Sequence, residues 1–129
     1  MITSRVLDGA RVDTLIDGKF SLATDQPAPT GADSAPSPFD VFLAGIAACT
    51  AYYAQRYCRK WNLPDAGIEV DLQPTFDAKH ALTDVRMQLR VPASFPAEHL
   101  PGLLKNAGNC LVKKTLDAPP TVSLDLAVG

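Results

Sequence analysis

The apolar and polar positions change rhythm along the chain, and each change predicts an element. In the N-terminal third, short segments at residues 2–7, 10–16 and 19–24 are separated by Asp8-Gly9 and Asp17-Gly18. Asp-Gly between strand-like segments is a strong hairpin signal, so this third predicts a β-meander. Residues 26–38 then carry Pro27, Pro29, Pro36 and Pro38 together with Gly31, Ser34 and Ser37, the composition of a loop.

The next rhythm is nearly unbroken apolar character. Ser37 offers an N-cap, Pro38 a first helical position and Asp40 an acid three residues after the cap, which predicts a helix over residues 38–61. Residues 41–54 are apolar almost throughout, so this helix is expected to be buried on nearly all sides. It turns amphipathic at Gln55, Arg56, Arg59 and Lys60 and stops at Asn62-Leu63-Pro64. Two alternating strands follow. Ile68, Val70 and Leu72 oppose Glu69, Asp71 and Gln73, while Val85, Met87, Leu89 and Val91 oppose Asp84, Arg86, Gln88 and Arg90. Their polar link, residues 77–83, predicts a hairpin. Residues 96–106 predict a short helical region broken at Pro101. Asn109 is the expected N-cap of a last helix over residues 110–117, and residues 121–128 the expected last strand. The order βββ–α–ββ–α–α–β, with no linker or repeat, predicts one α+β domain over residues 1–129.

Length and charge narrow the function. The 129 residues suit one domain able to bury a core without metals or disulfides. Twelve basic and fourteen acidic residues, net charge −2 and no basic block, argue against nucleic acid or an anionic membrane as partner. Arg5, Asp8, Arg11, Asp13, Asp17 and Lys19 interrupt any signal-peptide core, and the longest apolar run is about half a bilayer span. Three widely spaced cysteines do not form a secreted disulfide scaffold. A cytoplasmic location with reduced thiols is the expectation.

Candidate chemistry rests on those thiols. There is no C-x-x-C, and His80 (a hairpin-loop residue) and His99 (a lone helix-end residue) stand at no ligand spacing from a cysteine. No metal site is expected. A phosphate-cradling glycine loop and a dinucleotide fingerprint are absent, so no cofactor is implied. Cys49 lies in the apolar helix, where a cysteine can be simple packing. At about 100° per residue, Cys58 falls on the opposite face of that helix and reads as structural. Cys110 is expected as the first residue of a helix, facing unpaired backbone N–H groups and the positive dipole end, with Lys113 and Lys114 one turn away, a setting that favours thiolate.

Ala35-Pro36-Ser37-Pro38, leading through Asp40 into Leu43-Ala44-Gly45-Ile46-Ala47-Ala48-Cys49-Thr50, resembles the central-helix signature of the OsmC/Ohr family of osmotically inducible and organic-hydroperoxide-resistance proteins. Asn109-Cys110-Leu111-Val112-Lys113-Lys114-Thr115-Leu116 is similar to its second cysteine motif, and Thr24-Asp25-Gln26-Pro27 with Gly31 to the loop of its OsmC-like branch. The resemblance implies an intertwined homodimer that reduces small organic hydroperoxides and is recycled by a dithiol reductant. It assigns attack to Cys49 and resolution to Cys110. It also implies an arginine from the N-terminal strands, Arg5 in preference to Arg11, held by a carboxylate on the central helix. Phe39 stands where the peroxidase branch has glutamate, Asp40 follows one residue later, and Leu111 replaces the proline usual after the second cysteine.

Two other readings share these residues. In one, Phe39, Phe42, Tyr52 and Tyr53 line a pocket for a small apolar ligand, the first two and Tyr53 being also the substrate-binding candidates of the enzyme reading. In the other, Asp40 is only a capping-box acid and the thiols are buried packing in a structural dimer. All three readings require a partner chain, because the loop and N-terminal strands cannot cover a helix that is apolar all round. Sedimentation at micromolar concentration should therefore give about twice the 13.8 kDa chain mass. A compact monomer at that concentration would refute this.

Overall fold

The computed structural model describes residues 1–129. Three strands, β1 (Ile2–Val6), β2 (Val12–Ile16) and β3 (Phe20–Thr24), are followed by helix α1 (Pro38–Lys60). Strands β4 (Glu69–Phe76) and β5 (Leu82–Arg90) come next, then a 3-10 turn at Ala97–His99, α2 (Leu100–Ala107) and α3 (Leu111–Asp117). This is the α+β arrangement with antiparallel sheets expected from the sequence. The chain forms two compact units, Met1–Ala44 and Gly45–Gly129, with α1 running from the first into the second.

In the first unit β1, β2 and β3 form an antiparallel meander with Val6 opposite Val12 and Ile16 opposite Phe20. Asp17 and Gly18 both have positive φ (54° and 64°), and the Lys19 N–H closes the turn on the Ile16 carbonyl at 3.0 Å. The loop after β3 is organised around Asp25, which is 1 % exposed. Its carboxylate accepts from the Ser34 hydroxyl at 2.6 Å, the Gln26 N–H at 2.8 Å and the Ser34 N–H at 3.1 Å. These bonds, the Ser34 hydroxyl foremost, lower the Asp25 pKa to about 2 against the opposing effect of burial. Gly31 is needed there because a Cβ would lie 2.5 Å from the Asp25 carboxylate and 2.3 Å from the Gln26 carbonyl.

The start of α1 is a capping box. The Asp40 N–H donates to the Ser37 hydroxyl at 3.1 Å, and the Ser37 N–H donates back to the Asp40 carboxylate at 3.2 Å. The helix is not covered all round by its own chain, as the sequence pattern led one to expect. Ala44, Ala48 and Tyr52, spaced four apart, form an exposed stripe, and Phe39 and Phe42 are exposed as well. An apolar run reports a demand for burial, and one chain does not meet that demand here.

In the second unit Ala54, Tyr57 and Cys58 of α1 pack with Phe95, Leu103 and Ala107, and Ile68, Leu89 and Val91 close around them. The strands alternate as expected, with Val70 opposite Leu89, Leu72 opposite Met87 and Pro74 opposite Val85, all half-buried. His80 sits in the hairpin loop with φ 64°. His99 is not a lone histidine. Its Nδ1 lies 2.8 Å from the Tyr57 hydroxyl, its ring packs against Tyr57 and Trp61, and Gly102 leaves room for the Tyr57 ring. This contact pins the start of α2 to α1.

The helical region after β5 is divided as expected, since the 3-10 turn ends at His99 and α2 begins at Leu100 with Pro101 in its first turn, where its missing N–H costs nothing. Two local expectations do not hold. Asn109 does not cap α3; Cys110 does. Residues 118–129 contain no strand, because no strand of the chain pairs with them. Val122, Leu124, Leu126 and Val128 are instead 87–96 % exposed.

Asp25 carries a pH prediction. Its native pKa is below the unfolded carboxylate value near 4, so its contribution is present above that value and lost as pH falls toward about 2. Asp25→Asn should lower the thermal midpoint at pH 7, and the gap from the parent should narrow steadily in acid. Equal midpoints at pH 7 would contradict the assignment.

Candidate active site

Two elements of the second unit bring two thiols together. Cys49, on α1, is partly exposed, while Cys110, at the start of α3, is fully buried. The Gly108 N–H closes α2 on the Leu104 carbonyl at 3.0 Å, and the Asn109 N–H turns back to Asn106 at 3.1 Å. Cys110 then adopts an extended backbone (φ −64°, ψ 150°), and its Sγ accepts the Lys113 N–H at 3.3 Å. The sulfur thus fills the place usually held by a serine or aspartate oxygen.

Around Cys110 the donors outnumber what a packed thiol needs. The Cys49 side chain lies within hydrogen-bonding reach, and the Thr50 hydroxyl is 3.8 Å from the sulfur. Burial pushes the Cys110 thiol up. The Lys113 N–H, Cys49, Thr50 and the Val112 N–H pull it down further, so it lies below the ordinary thiol value. The Lys113 ammonium is not the agent expected from the sequence, since it bridges to Asp117 at 2.9 Å on an exposed face. The backbone N–H groups of the helix start, as expected, and side-chain donors lower it.

Cys58 belongs to the core cluster, as expected, and burial together with the Asp65 charge raises its pKa. No group of three His, Cys, Asp or Glu side chains converges as a metal site. Arg5 is an exposed β1 residue opposite Asp13, and Arg11 forms the ion pair with Asp13 at 3.8 Å. Asp40 is engaged with Ser37, as the capping reading requires. The Phe39 and Phe42 rings pack on each other, centroids 5.3 Å apart. Tyr52 and Tyr53 line a cleft of about 610 Å³, but Arg56, Arg59, Lys60 and Lys114 make it basic rather than apolar.

Sequence reasoning missed Thr50 and Met87. The Thr50 hydroxyl lies 3.5 Å from the Met87 sulfur and 3.0 Å from the Ile46 carbonyl. The available signal was a threonine immediately after a cysteine in an apolar helix, since a buried hydroxyl must find partners.

The model of the OsmC-like protein family matches residues 31–125, a span holding both cysteine segments. The chain belongs to the OsmC family. Solved structures agree in fold at low identity. A Psychrobacter arcticus protein described as an osmotic stress induced and detoxification response protein has TM-score 0.78 and 17 % identity, over 88 % of this chain and 85 % of that one. An OsmC-like protein of Mycoplasma pneumoniae has TM-score 0.77 and 14 % identity, over 92 % and 87 %. The organic hydroperoxide resistance protein OhrB of Bacillus subtilis has TM-score 0.59 and 20 % identity, over 92 % and 90 %. No curated protein matches significantly in sequence. No helix of this OsmC-family chain is long and apolar enough to cross a membrane.

The capping geometry predicts a stability order. Cys110→Ala leaves the Lys113 N–H without its acceptor and should cost about 1 kcal/mol in urea unfolding. Cys110→Ser supplies an oxygen in its place and should recover most of that loss. An alanine variant as stable as the parent would show that the sulfur does not cap α3.

Proposed function

We propose that this OsmC-family chain reduces organic hydroperoxides with two thiols, Cys49 attacking and Cys110 resolving. The observation that carries this reading is the difference between the two sulfurs. Cys49 is the one a peroxide can reach, and Cys110 is buried within reach of it and held toward thiolate. The Cys49 thiolate takes the terminal peroxide oxygen, becoming sulfenic acid, and the alkoxide leaves and gains a proton to become an alcohol. The Cys110 thiolate then attacks the Cys49 sulfur. An S–S bond forms, and hydroxide departs and is protonated to water. A dithiol reductant returns the pair to thiols by exchange. No cofactor enters this cycle.

The other assignments complete the reading. Arg5 supplies the cation that keeps Cys49 ionised, and Asp40, beyond its capping role, is the carboxylate of that pair. Phe39, Phe42 and Tyr53 contact the organic part of the substrate. The chain acts as one domain in a cytoplasmic homodimer. The exposed apolar stripe on α1 and the unpaired apolar residues after Asp117 support that assembly, since a second copy would cover both.

Substitution separates the roles. Cys49→Ser should abolish single-turnover consumption of an alkyl hydroperoxide, because a hydroxyl is far too weak an acid to attack. Cys110→Ser should leave the first turnover intact but stall later ones, with Cys49 over-oxidised. Cys58→Ser should do neither, and Arg5→Ala should slow the first turnover. A Cys49→Ser variant that consumes peroxide as fast as the parent sinks the proposal.

A further inference from the structure

The Thr50 hydroxyl has one proton and three acceptors within reach. These are the Ile46 carbonyl at 3.0 Å, the Met87 sulfur at 3.5 Å and the Cys110 sulfur at 3.8 Å. Thr50 and Cys110 are both buried, so water does not compete for that proton. The Ile46 carbonyl stands four residues before Thr50 in α1 and already receives the regular helical N–H bond there. It therefore does not depend on the hydroxyl. Met87 offers a neutral thioether, a weak acceptor that never gains charge. Cys110 is the one acceptor of the three whose strength changes, because a thiolate draws a donor far more strongly than a thiol.

We propose that Thr50 is a positioning residue for the second thiol, its hydroxyl turning from the Ile46 carbonyl to the Cys110 sulfur when that sulfur ionises. The movement is a rotation about the Cβ–Oγ bond and needs no change of backbone or rotamer. The Cys110 sulfur is then held by two donors from different elements, the Lys113 N–H of α3 and the Thr50 O–H of α1. Thr50 directly follows Cys49, so the group that steadies the attacking sulfur is fixed to the backbone that carries its target. Once the S–S bond forms, Cys110 loses its charge and the hydroxyl returns to Ile46. The other titratable group at Cys110 is Cys49, and the nearby Lys113 ammonium is committed to Asp117.

This role in disulfide formation rests on the two-thiol reading, whereas the effect on Cys110 ionisation does not. The test is a thiolate absorbance titration in a Cys49→Ser, Cys58→Ser background, where Cys110 is the sole thiol. Thr50→Val keeps the side-chain shape and removes the hydroxyl. It should raise the titration midpoint by about one pH unit, roughly a tenfold loss of thiolate at neutral pH, and Thr50→Ser should restore the parent midpoint. Thr50→Ala serves the same purpose if the valine variant fails to fold. A midpoint unchanged in the hydroxyl-free variants, or shifted as far by Thr50→Ser, overturns the proposal. In the chain with all three cysteines, Thr50→Val should slow Cys49–Cys110 bond formation about tenfold at pH 7 without slowing the first peroxide turnover. If the parent forms no such bond, the two-thiol reading fails, and the titration still decides the role of Thr50.

Discussion

The start of α3 depends on a sulfur accepting a hydrogen bond from the Lys113 N–H. A helix start leaves N–H groups without intrahelical partners, and these are normally met by oxygen. A neutral thiol meets them poorly and a thiolate meets them well. The backbone that α3 needs satisfied is therefore the same backbone that makes Cys110 acidic. Helix stability and thiol acidity draw on one interaction, and any change to that sulfur is felt in both.

For the cap to serve chemistry, Cys110 must also be delivered to Cys49. The Tyr57–His99 bond and the packing of Leu103 and Ala107 against α1 fix α2. The tight turn at Gly108 and Asn109 then places Cys110 against the stretch of α1 that carries Cys49 and Thr50. Cys58, on the other face of the same helix, is buried in the packing that holds this arrangement. One thiol anchors the scaffold, and the other two meet at its edge.

Much of this was legible in the sequence because the signals were local. Asp17-Gly18 marks a turn, the alternation of Val70, Leu72, Met87 and Leu89 marks a two-faced hairpin, and Ser37 with Asp40 marks a helix start. The sequence pattern puts Cys110 at a helix start, but one position inside it, because asparagine is the better cap by type and the sequence does not show which residue turns extended. The backbone N–H groups expected there do act on the sulfur, whereas the Lys113 ammonium turns to Asp117. Thr50, Met87 and the Tyr57–His99 bond join residues far apart in the chain, and no local pattern reports such pairs. The absence of the expected last strand has a related reason. Alternation shows that Val122, Leu124, Leu126 and Val128 could pair, whereas pairing needs a strand laid alongside them, and none of the chain's own strands is.

The proposed two-thiol cycle requires Cys49 and Cys110 to act as one redox pair, with Cys58 apart. Peptide mass mapping of the reduced chain after one equivalent of an alkyl hydroperoxide, with remaining thiols alkylated before digestion, tests it most directly. The expected product is a Cys49–Cys110 disulfide, with Cys58 recovered alkylated. Oxidation that leaves Cys49 and Cys110 unlinked, or a disulfide that includes Cys58, would contradict it.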